Sequence, residues 1–181
     1  MIFGSKNGVN FIKNSADILI NNTKIPVVDS AKNLGIVLDN NLRFKDHLKK
    51  LFQKSYMTLK ILYNNKHILN FRLKKTLCES LVLSNFNYCD FVYGYCIDNE
   101  SVLRIQRVQN DCVRFIFGLR KYDHISHKFL DLKWLRMDQR RLLHFSTFLL
   151  KILNDPESPA SIKERLLPRY NVHSVNIRNT D

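Results

Sequence analysis

The chain has 181 residues and carries 29 Lys and Arg against 16 Asp and Glu, a formal net charge of +13 at pH 7. Its hydrophobic content of 45% is sufficient for a folded core, which excludes wholesale disorder. The charge imbalance favours a polyanionic partner, with nucleic acid first and an anionic membrane surface second. The length allows one domain, or a piece of a larger protein with two subregions.

Hydropathy and cysteine spacing bear on the compartment. No uncharged apolar run approaches the roughly 18 residues that a membrane-spanning helix needs, and the apolar start at residues 1–4 is too short for a signal peptide. The four cysteines (positions 78, 89, 96 and 112) form no Cys-x-x-Cys pair. We therefore expect an intracellular protein, in the cytoplasm or the nucleus and not secreted, whose cysteines are reduced and buried.

The first forty residues alternate short β-like runs with turn residues. Strands are predicted at residues 9–12, 18–20, 24–28 and 33–38. Asn21-Asn22 is a two-residue hairpin signal. The stretch Lys32-Asn33-Leu34-Gly35-Ile36-Val37-Leu38-Asp39 contains a short apolar run that includes a glycine. We interpret it as a strand or a tight hairpin that another backbone approaches closely.

From Phe44 onward the hydrophobic period becomes helical. One apolar face runs to Tyr63 and is formed by residues 48, 51, 52, 59, 62 and 63. Between Arg43 and Lys60 lie six basic residues and one acid, Asp46. The sequence therefore predicts a long helix with an apolar face and a strongly cationic face.

Further helices are predicted downstream, at residues 72–83, 100–117, 124–130 and 138–153. Gly118 is a predicted C-cap, and Asp123 and Asp138 are predicted N-caps. The aromatic segment at 86–95 is too irregular for a firm assignment and fits a buried helix end or a packed connection. The end of the chain, from Asn154, contains three of the four prolines and is expected to fray.

Basic stripes on three of these helices are the strongest chemical signal. Few acids stand at i±4 to neutralise them, and phosphate contacts require cations on one solvent-facing surface. The ordinary alternative is a solvated helix face, which is almost always charged. The candidate nucleic-acid-binding residues are Lys45, Lys49, Lys50, Lys54, Lys60, Arg104, Arg107 and Arg114.

Catalytic and metal sites are not predicted. His124 and His127 lie three residues apart, without the tight second pair that a structural zinc site presents. Asp123, His124 and Ser126 are triad residue types, but neighbours in sequence rarely meet in triad geometry. No glycine-rich phosphate loop occurs among the 5 glycines, and no acids pair as Mg²⁺ ligands would.

Several stretches together resemble the reverse transcriptases of non-LTR retrotransposons, the jockey-like elements and their relatives, from just after the catalytic loop. The early stretches are residues 1–4, 18–28, 31–39 and 42–47. The later ones are 103–110, which contains Gln106-Arg107-Val108-Gln109-Asn110, then 123–126 and 132–135, followed by Arg140-Arg141. The resemblance covers the chain to about Leu167.

The resemblance implies an α+β fold, with small N-terminal antiparallel strands as a palm remnant followed by a mainly α-helical thumb or bundle. Palm-end and primer-grip strands would occupy 1–43, thumb helices 44–98, a helical C-terminal extension 99–167 and a disordered tail 168–181. Leu34 and Gly35 would lie at the primer grip. Lys45, Lys49, Lys50 and Lys54 would face the template–primer duplex from the first thumb helix.

No Tyr/Phe-x-Asp-Asp sequence, the catalytic loop of this family, occurs in the chain. We therefore expect a truncated reverse transcriptase (RNA-directed DNA polymerase) region that is inactive alone, with Mg²⁺ and dNTPs belonging to the missing palm. The expected partners are an RNA/DNA template–primer and either the missing palm and fingers or a second copy of the chain. The alternative is a non-catalytic helical interaction module or a non-functional relic of an element.

Overall fold

The structure, a computed structural model, describes residues 1–15 and 19–166. The chain divides into two compact units, Met1–Arg141 and Leu142–Asp181. The strands are β1 (Leu19–Ile20), β2 (Thr23–Lys24), β3 (Ser30–Asn33) and β4 (Ile36–Asp39). The helices are α1 (Lys6–Ser15), α2 (Lys45–Asn64), α3 (Phe71–Leu77), α4 (Ser84–Asn87), α5 (Asp90–Tyr93), α6 (Asn99–Phe117), α7 (Ser126–Leu132), α8 (Met137–Asn154) and α9 (Ala160–Arg165), with a π-helical segment, Cys78–Leu83, between α3 and α4.

Two small antiparallel sheets near the N-terminus precede a mainly helical remainder, which confirms the predicted α+β class. The predicted internal divisions at residues 43, 98 and 167 stay predictions, and the predicted tail at 168–181 lies outside the described residues. Within the described part of the chain, no helix combines the length and the apolar character needed to cross a bilayer.

The strand predicted at residues 9–12 is wrong, because this segment belongs to α1. Ser5 precedes the helix, and its Oγ accepts a hydrogen bond from the Gly8 amide at 3.3 Å, as an N-cap does. Val9 is buried, at 2% exposure, while Phe11 is exposed. The cap signal at Ser5 and the one-sided burial indicate a helix where a short apolar run alone indicated a strand.

The predicted hairpin at Asn21-Asn22 is confirmed, since β1 and β2 pair antiparallel across these two residues. Their φ angles of 47° and 59° are the positive values that a two-residue hairpin turn requires. Of the predicted strand at 24–28 only Lys24 is paired. Pro26 lacks the N–H that a ladder needs, which limits β2 to two residues.

A single strand over residues 33–38 is wrong, and the tight-hairpin alternative is confirmed. β3 and β4 pair antiparallel with Asn33 opposite Ile36, so Leu34 and Gly35 form the turn. Both have positive φ, 45° and 87° respectively. The glycine therefore serves the turn geometry here.

Three helical segments enclose the core of the first unit. They are α2, α6 and the continuous stretch made of α3, the π-helical segment and α4. The predicted apolar face of α2 is confirmed at Leu48, Phe52, Leu59 and Leu62, which are buried, and Leu51 is half-buried. The prediction is wrong for Tyr63, which is 41% exposed. α6 contributes Ile105, Val108, Cys112, Val113 and Ile116, and the π-helical segment contributes Cys78, Val82 and Leu83. These long helices position every cation of the candidate site.

The helix predicted at 72–83 starts at Phe71, and its helical course continues through the π-helical segment to Asn87. Polar side chains bond to backbone carbonyls along this stretch. Ser80 Oγ donates to the Thr76 carbonyl at 2.8 Å, and Asn85 Nδ2 donates to the Leu81 carbonyl at 2.7 Å. Such side-chain donors satisfy carbonyl groups where the regular helical ladder changes register.

Two predicted N-caps are wrong. Asp123 accepts a hydrogen bond from the Arg120 amide at 2.7 Å and closes a turn, while α7 begins only at Ser126. Asp138 lies inside the first turn of α8, and the Gln139 side chain accepts from the Arg136 amide at 3.1 Å instead. The predicted C-cap at Gly118 is confirmed, with φ of 68° directly after α6.

The four cysteines are free thiols. Cys78 and Cys112 are fully buried where α6 meets the π-helical segment, as predicted. Cys89 is half-buried and Cys96 is exposed, so the prediction of burial is wrong for Cys96. Free cysteines are usually buried, and Cys78 and Cys112 follow this rule because they lie on helix faces that carry core residues.

In the second unit the described residues are helical over most of their length, up to Arg165 at the end of α9. Thr147 Oγ1 donates to the Leu143 carbonyl at 2.7 Å, one turn back in the helix. Leu142, Leu143 and Leu150 are each more than half exposed. This part of the chain therefore buries little of its own apolar surface.

Candidate nucleic-acid interface

The burial of one face of α2 determines where its lysines lie. Successive residues turn by 100° around a helix, so side chains four apart share a flank. Lys45 and Lys49 fall on the flank that faces the start of α6, whereas Lys54 falls on the opposite flank. Lys50 and Lys60 are exposed between these flanks. The structure thus separates cations that the sequence presents as one stripe.

Three of the predicted residues, Lys45, Lys49 and Arg104, meet in a groove between α2 and the first turns of α6. We call it the basic groove. Its volume is about 420 Å³, and it is lined by Lys45, Leu48, Lys49, Phe52, Gln53, Asp98, Glu100, Ser101 and Arg104. The Arg104 guanidinium carbon lies 4.3 Å from the centre of the Phe52 ring, a cation–π contact that holds the charge in place.

Two carboxylates also line the basic groove, and one of them has a structural duty. Asp98 is the N-cap of α6 and accepts a hydrogen bond from the Ser101 amide at 2.7 Å. That hydrogen bond, helped by the charges of Lys45 and Arg43, holds the pKa of Asp98 below its usual range. The three cations that line the groove outnumber these two carboxylates, and the positive end of the α6 dipole adds to the positive potential there.

The remaining predicted cations lie elsewhere. Lys54 lines a second groove of about 320 Å³ with Thr58, Ser80, Ser84 and Asn85. Arg107 is exposed on α6. Arg114 forms an ion pair with Asp111, with 3.4 Å between Nη1 and Oδ1, and its side chain is only 19% exposed. Arg114 is therefore the least accessible of the predicted contacts to a phosphate.

The tip of the β3–β4 hairpin is exposed and anchored from one side. Leu34 has 82% exposure, while the Tyr88 hydroxyl donates to the Leu34 carbonyl at 2.7 Å. A Cβ added at Gly35 would lie 3.4 Å from Cε1 of the same tyrosine ring. The hairpin therefore presents an apolar side chain outward from a turn that Tyr88 holds against the helical part of the unit.

His47 connects the hairpin to α2 and is a residue that sequence reasoning missed. It is 4% exposed, and its Nδ1 accepts a hydrogen bond from the Val37 amide at 3.5 Å. Its ring makes an edge contact with Tyr93, with 5.2 Å between centroids. Burial, and secondarily the charge of Lys50, lower the pKa of His47, which favours the neutral ring.

The Gln106-to-Asn110 stretch is also placed by the structure, in a role that its resemblance did not supply. Gln106 Nε2 donates to Gln109 Oε1 and to Asn110 Oδ1, each at 2.9 Å. Gln109, fully buried, donates to the Leu135 carbonyl at 2.9 Å, and Gln106 Oε1 accepts from the Met137 amide at 3.0 Å. This network fastens the start of α8 to α6.

Two further bonds hold the same connection from the other side. Trp134 Nε1 donates to the Glu79 carboxylate at 2.6 Å, and Lys75 Nζ donates to the Leu132 carbonyl at 3.1 Å. The segment from Leu132 to Met137 is therefore fixed by side chains from two separate helices. The Trp134 ring belongs to the core, as most tryptophans do.

Metal binding finds no support among residues 1–15 and 19–166. There, no group of three His, Cys, Asp or Glu side chains is placed to hold a metal ion. His124 and His127 are both exposed, and the Asp123 carboxylate is bonded to the backbone of Arg120. That Mg²⁺ and dNTPs belong elsewhere in a polymerase stays a prediction.

Comparison with known proteins gives one distant similarity. The chain is similar to the probable RNA-directed DNA polymerase from transposon X-element of Drosophila melanogaster, with 26% identity over 121 residues. The matched stretch is 64% of this chain and 13% of that relative, so the chain spans a small part of its length. No family model matches the chain, and no solved structure matches it. The similarity supports a region related to retrotransposon reverse transcriptases.

Proposed function

We propose that this chain is a region of a retrotransposon reverse transcriptase that holds the template–primer nucleic acid and does not itself polymerise. The observation that carries the proposal is the basic groove, in which Lys45, Lys49 and Arg104 converge from two helices. The similarity to a transposon RNA-directed DNA polymerase supplies the class of ligand. In this account α2 to α6 act as a thumb.

The chemistry of the basic groove suits a phosphate backbone. Cations that line one open groove can neutralise successive phosphates and release their counterions. Arg104 is held over Phe52, so less side-chain freedom is lost when it binds. Leu48 and Phe52, the two apolar residues that line the groove, are each only 3% exposed and offer little surface to a base, which fits contacts to the backbone without sequence readout.

The β3–β4 hairpin suits a second contact, beside the end of a primer strand. Its turn at Leu34 and Gly35 is held by Tyr88, and Leu34 projects into solvent. A rigid, exposed hairpin tip can lie against the sugars of a strand without adding charge. We therefore assign the primer-grip role to this tip as part of the same proposal.

Catalysis would be supplied by another part of the polymerase. The chain contains no pair of adjacent aspartates, and two-metal phosphoryl transfer requires carboxylates that converge on Mg²⁺. We expect the purified chain to incorporate no dNTP on a primed template. Incorporation that depends on a carboxylate of this chain would contradict the proposal.

The test uses two triple variants of equal charge change. Lys45→Gln, Lys49→Gln and Arg104→Gln remove the cations of the basic groove. Lys66→Gln, Arg120→Gln and Lys121→Gln remove two lysines and one arginine that are exposed outside it. Affinity for a fluorescent RNA–DNA duplex is measured by anisotropy at fixed salt. We expect the groove triple to weaken binding by at least about tenfold and the control triple to have little effect.

Equal losses in the two triples would show that only the net charge of +13 matters and would overturn the groove as the binding site.

The second candidate function is a protein-interaction module. It is favoured by exposed apolar side chains in the N-terminal region, where Phe11 is 71% exposed and Leu19 and Ile20 are each 59% exposed. Self-association that persists at high salt, without duplex binding, would favour this candidate.

A further inference from the structure

A second cavity lies in the first unit, between α6, α7 and the residues just before α8. We call it the polar pocket. Its volume is about 200 Å³, and it is lined by Gln106, Asn110, Ile125, Ser126, Phe129 and Arg136. It shares no lining residue with the basic groove. Nothing in the proposed duplex contact makes use of it.

The polar side chains of the pocket offer mainly hydrogen-bond donors. Asn110 Oδ1 already accepts from Gln106 Nε2 at 2.9 Å. Asn110 can therefore offer a ligand the two donor protons of its Nδ2. Both Nε2 protons of Gln106 are committed, to Gln109 and Asn110. The hydroxyl of Ser126 and the guanidinium of Arg136 add further donors. A ligand that fits must bring acceptor atoms.

The charge of the pocket selects an anion. No carboxylate lines it, and Arg136 is its one lining cation among the described residues. Arg136 Nε lies 3.6 Å from Asp138 Oδ1, with both side chains 61% exposed. An exposed pair of this kind is weak, so an anionic ligand can compete for the guanidinium.

Two of the residues that line the pocket are apolar, and one of them is aromatic. Ile125 and Phe129 are half-buried and pack against the core, which fixes their positions. A ligand therefore has a flat apolar body, acceptor atoms at its edge and a negative charge. A nucleotide combines all three, because its base stacks on aromatic rings and its phosphate binds arginine.

We propose that the polar pocket binds one unpaired nucleotide of a nucleic-acid strand, with its base against Phe129, base acceptors toward the Asn110 amide and the phosphate on Arg136. The inference rests on the proposed function only in taking nucleic acid as the source of the anion. An acidic peptide could supply a carboxylate to Arg136, but it brings no flat ring for Phe129.

The experiment is an NMR titration of the full chain with each of the four 5′-mononucleotides, observing the Asn110 side-chain amide and Arg136 Nε–H. Inorganic phosphate, the matching nucleosides and a short poly-glutamate peptide are titrated in parallel. We expect saturable shifts with at least one mononucleotide. Phosphate and nucleoside alone should each bind about tenfold or more weakly, since each makes only part of the contacts.

The matched variant is Asn110→Asp, which keeps the acceptor for Gln106 and replaces the amide donors with a carboxylate. It should weaken mononucleotide binding by about tenfold or more, through lost donors and charge repulsion. Arg136→Gln, at an exposed position, gives an independent test should Asn110→Asp disturb the fold. Arg120→Gln is the control and should bind as the wild type does.

Phosphate binding as tightly as the mononucleotides would reduce the pocket to a simple anion site and overturn the proposal. So would tighter binding of the peptide, or unchanged mononucleotide affinity in both Asn110→Asp and Arg136→Gln. Duplex binding through the basic groove is measured on the same variants. A wild type that binds the duplex but shows no saturable mononucleotide binding refutes this inference alone, whereas a wild type that does not bind the duplex refutes the proposed function.

Discussion

At Gly94 the structure leaves no room for a methyl group. A Cβ built there would lie 2.3 Å from Cδ and Nε of Arg141 and 2.3 Å from the Asp90 carbonyl oxygen. Arg141 is 8% exposed, and its Nη1 donates to the Gly94 carbonyl at 3.0 Å. The buried guanidinium therefore occupies the space that any side chain at position 94 would need.

Gly94→Ala should lower the free energy of unfolding by about 1–3 kcal/mol, because an overpacked site must shift buried neighbours. Urea denaturation followed by circular dichroism measures the change. Gly8→Ala, at an exposed position of α1, is the control and should cost little, since alanine favours helices over glycine and the added Cβ meets only the Ser5 Oγ, at 3.3 Å. A Gly94→Ala protein as stable as the wild type would show that Arg141 does not occupy this space.

His47 makes stability depend on pH in a defined direction. Burial lowers its pKa in the folded chain from the ordinary 6.5, so the folded state resists the proton that the unfolded state accepts. The contribution of His47 to the free energy of unfolding should thus be constant above pH 6.5. It should lower that free energy as the pH drops below 6.5.

His47→Asn, which offers an oxygen acceptor to the Val37 amide, should remove this component of the pH dependence. Unfolding free energies of the variant and wild type are compared by urea denaturation over roughly pH 5 to 7, where most carboxylates stay ionised. His67→Asn, at an exposed position, serves as the control. The same slope in wild type and His47→Asn would contradict the assignment.

At the scale of elements, the amide network between α6 and α8 should determine how firmly the connection from Leu132 to Met137 is held. Gln109→Leu keeps the side-chain volume and removes both hydrogen bonds of the buried amide. We expect a loss of about 1–3 kcal/mol in unfolding free energy, because the Leu135 carbonyl and a Gln106 donor lose their partners.

Hydrogen exchange locates that effect. The Met137 amide donates to Gln106 Oε1, so it should exchange faster in Gln109→Leu, in which Gln106 keeps only the Nε2 hydrogen bond to Asn110. Gln53→Leu, at an exposed position of α2, is the control and should leave this amide as protected as in the wild type. Unchanged exchange at Met137 in the Gln109 variant would show that the network does not hold the start of α8.

The sequence predicts the long helices well and the short elements poorly. α2 and α6 follow from their 3.6-residue periodicity, since each buries one continuous face in the core. The strand prediction at residues 9–12 is wrong because a run of four residues fits a strand as well as a helix. Only the cap at Ser5 distinguishes the two structures. Within residues 33–38, the turn at Leu34 and Gly35 requires a positive φ at a leucine. No local sequence pattern predicts that conformation for leucine.

At the scale of the whole molecule, composition predicts a polyanionic ligand but not the surface that receives it. Lys45 and Lys49 join Arg104 only because α2 packs against the start of α6, some fifty residues later in the chain. Lys54, one turn beyond Lys50, is turned to another groove. Contacts between distant segments decide which cations meet in one groove. The spacing of residues along a single helix does not predict those contacts.

The most direct test of the proposed function is the salt dependence of duplex binding, measured by anisotropy for the wild type and the two triple variants. Each phosphate contact contributes about 0.9 to the slope of log K against log salt concentration. The groove triple should therefore bind an RNA–DNA duplex with a slope smaller by about 2 to 3, while the control triple keeps the wild-type slope. A wild type that binds without salt dependence, or equal slopes in all three proteins, would contradict the assignment of the basic groove to the nucleic-acid backbone.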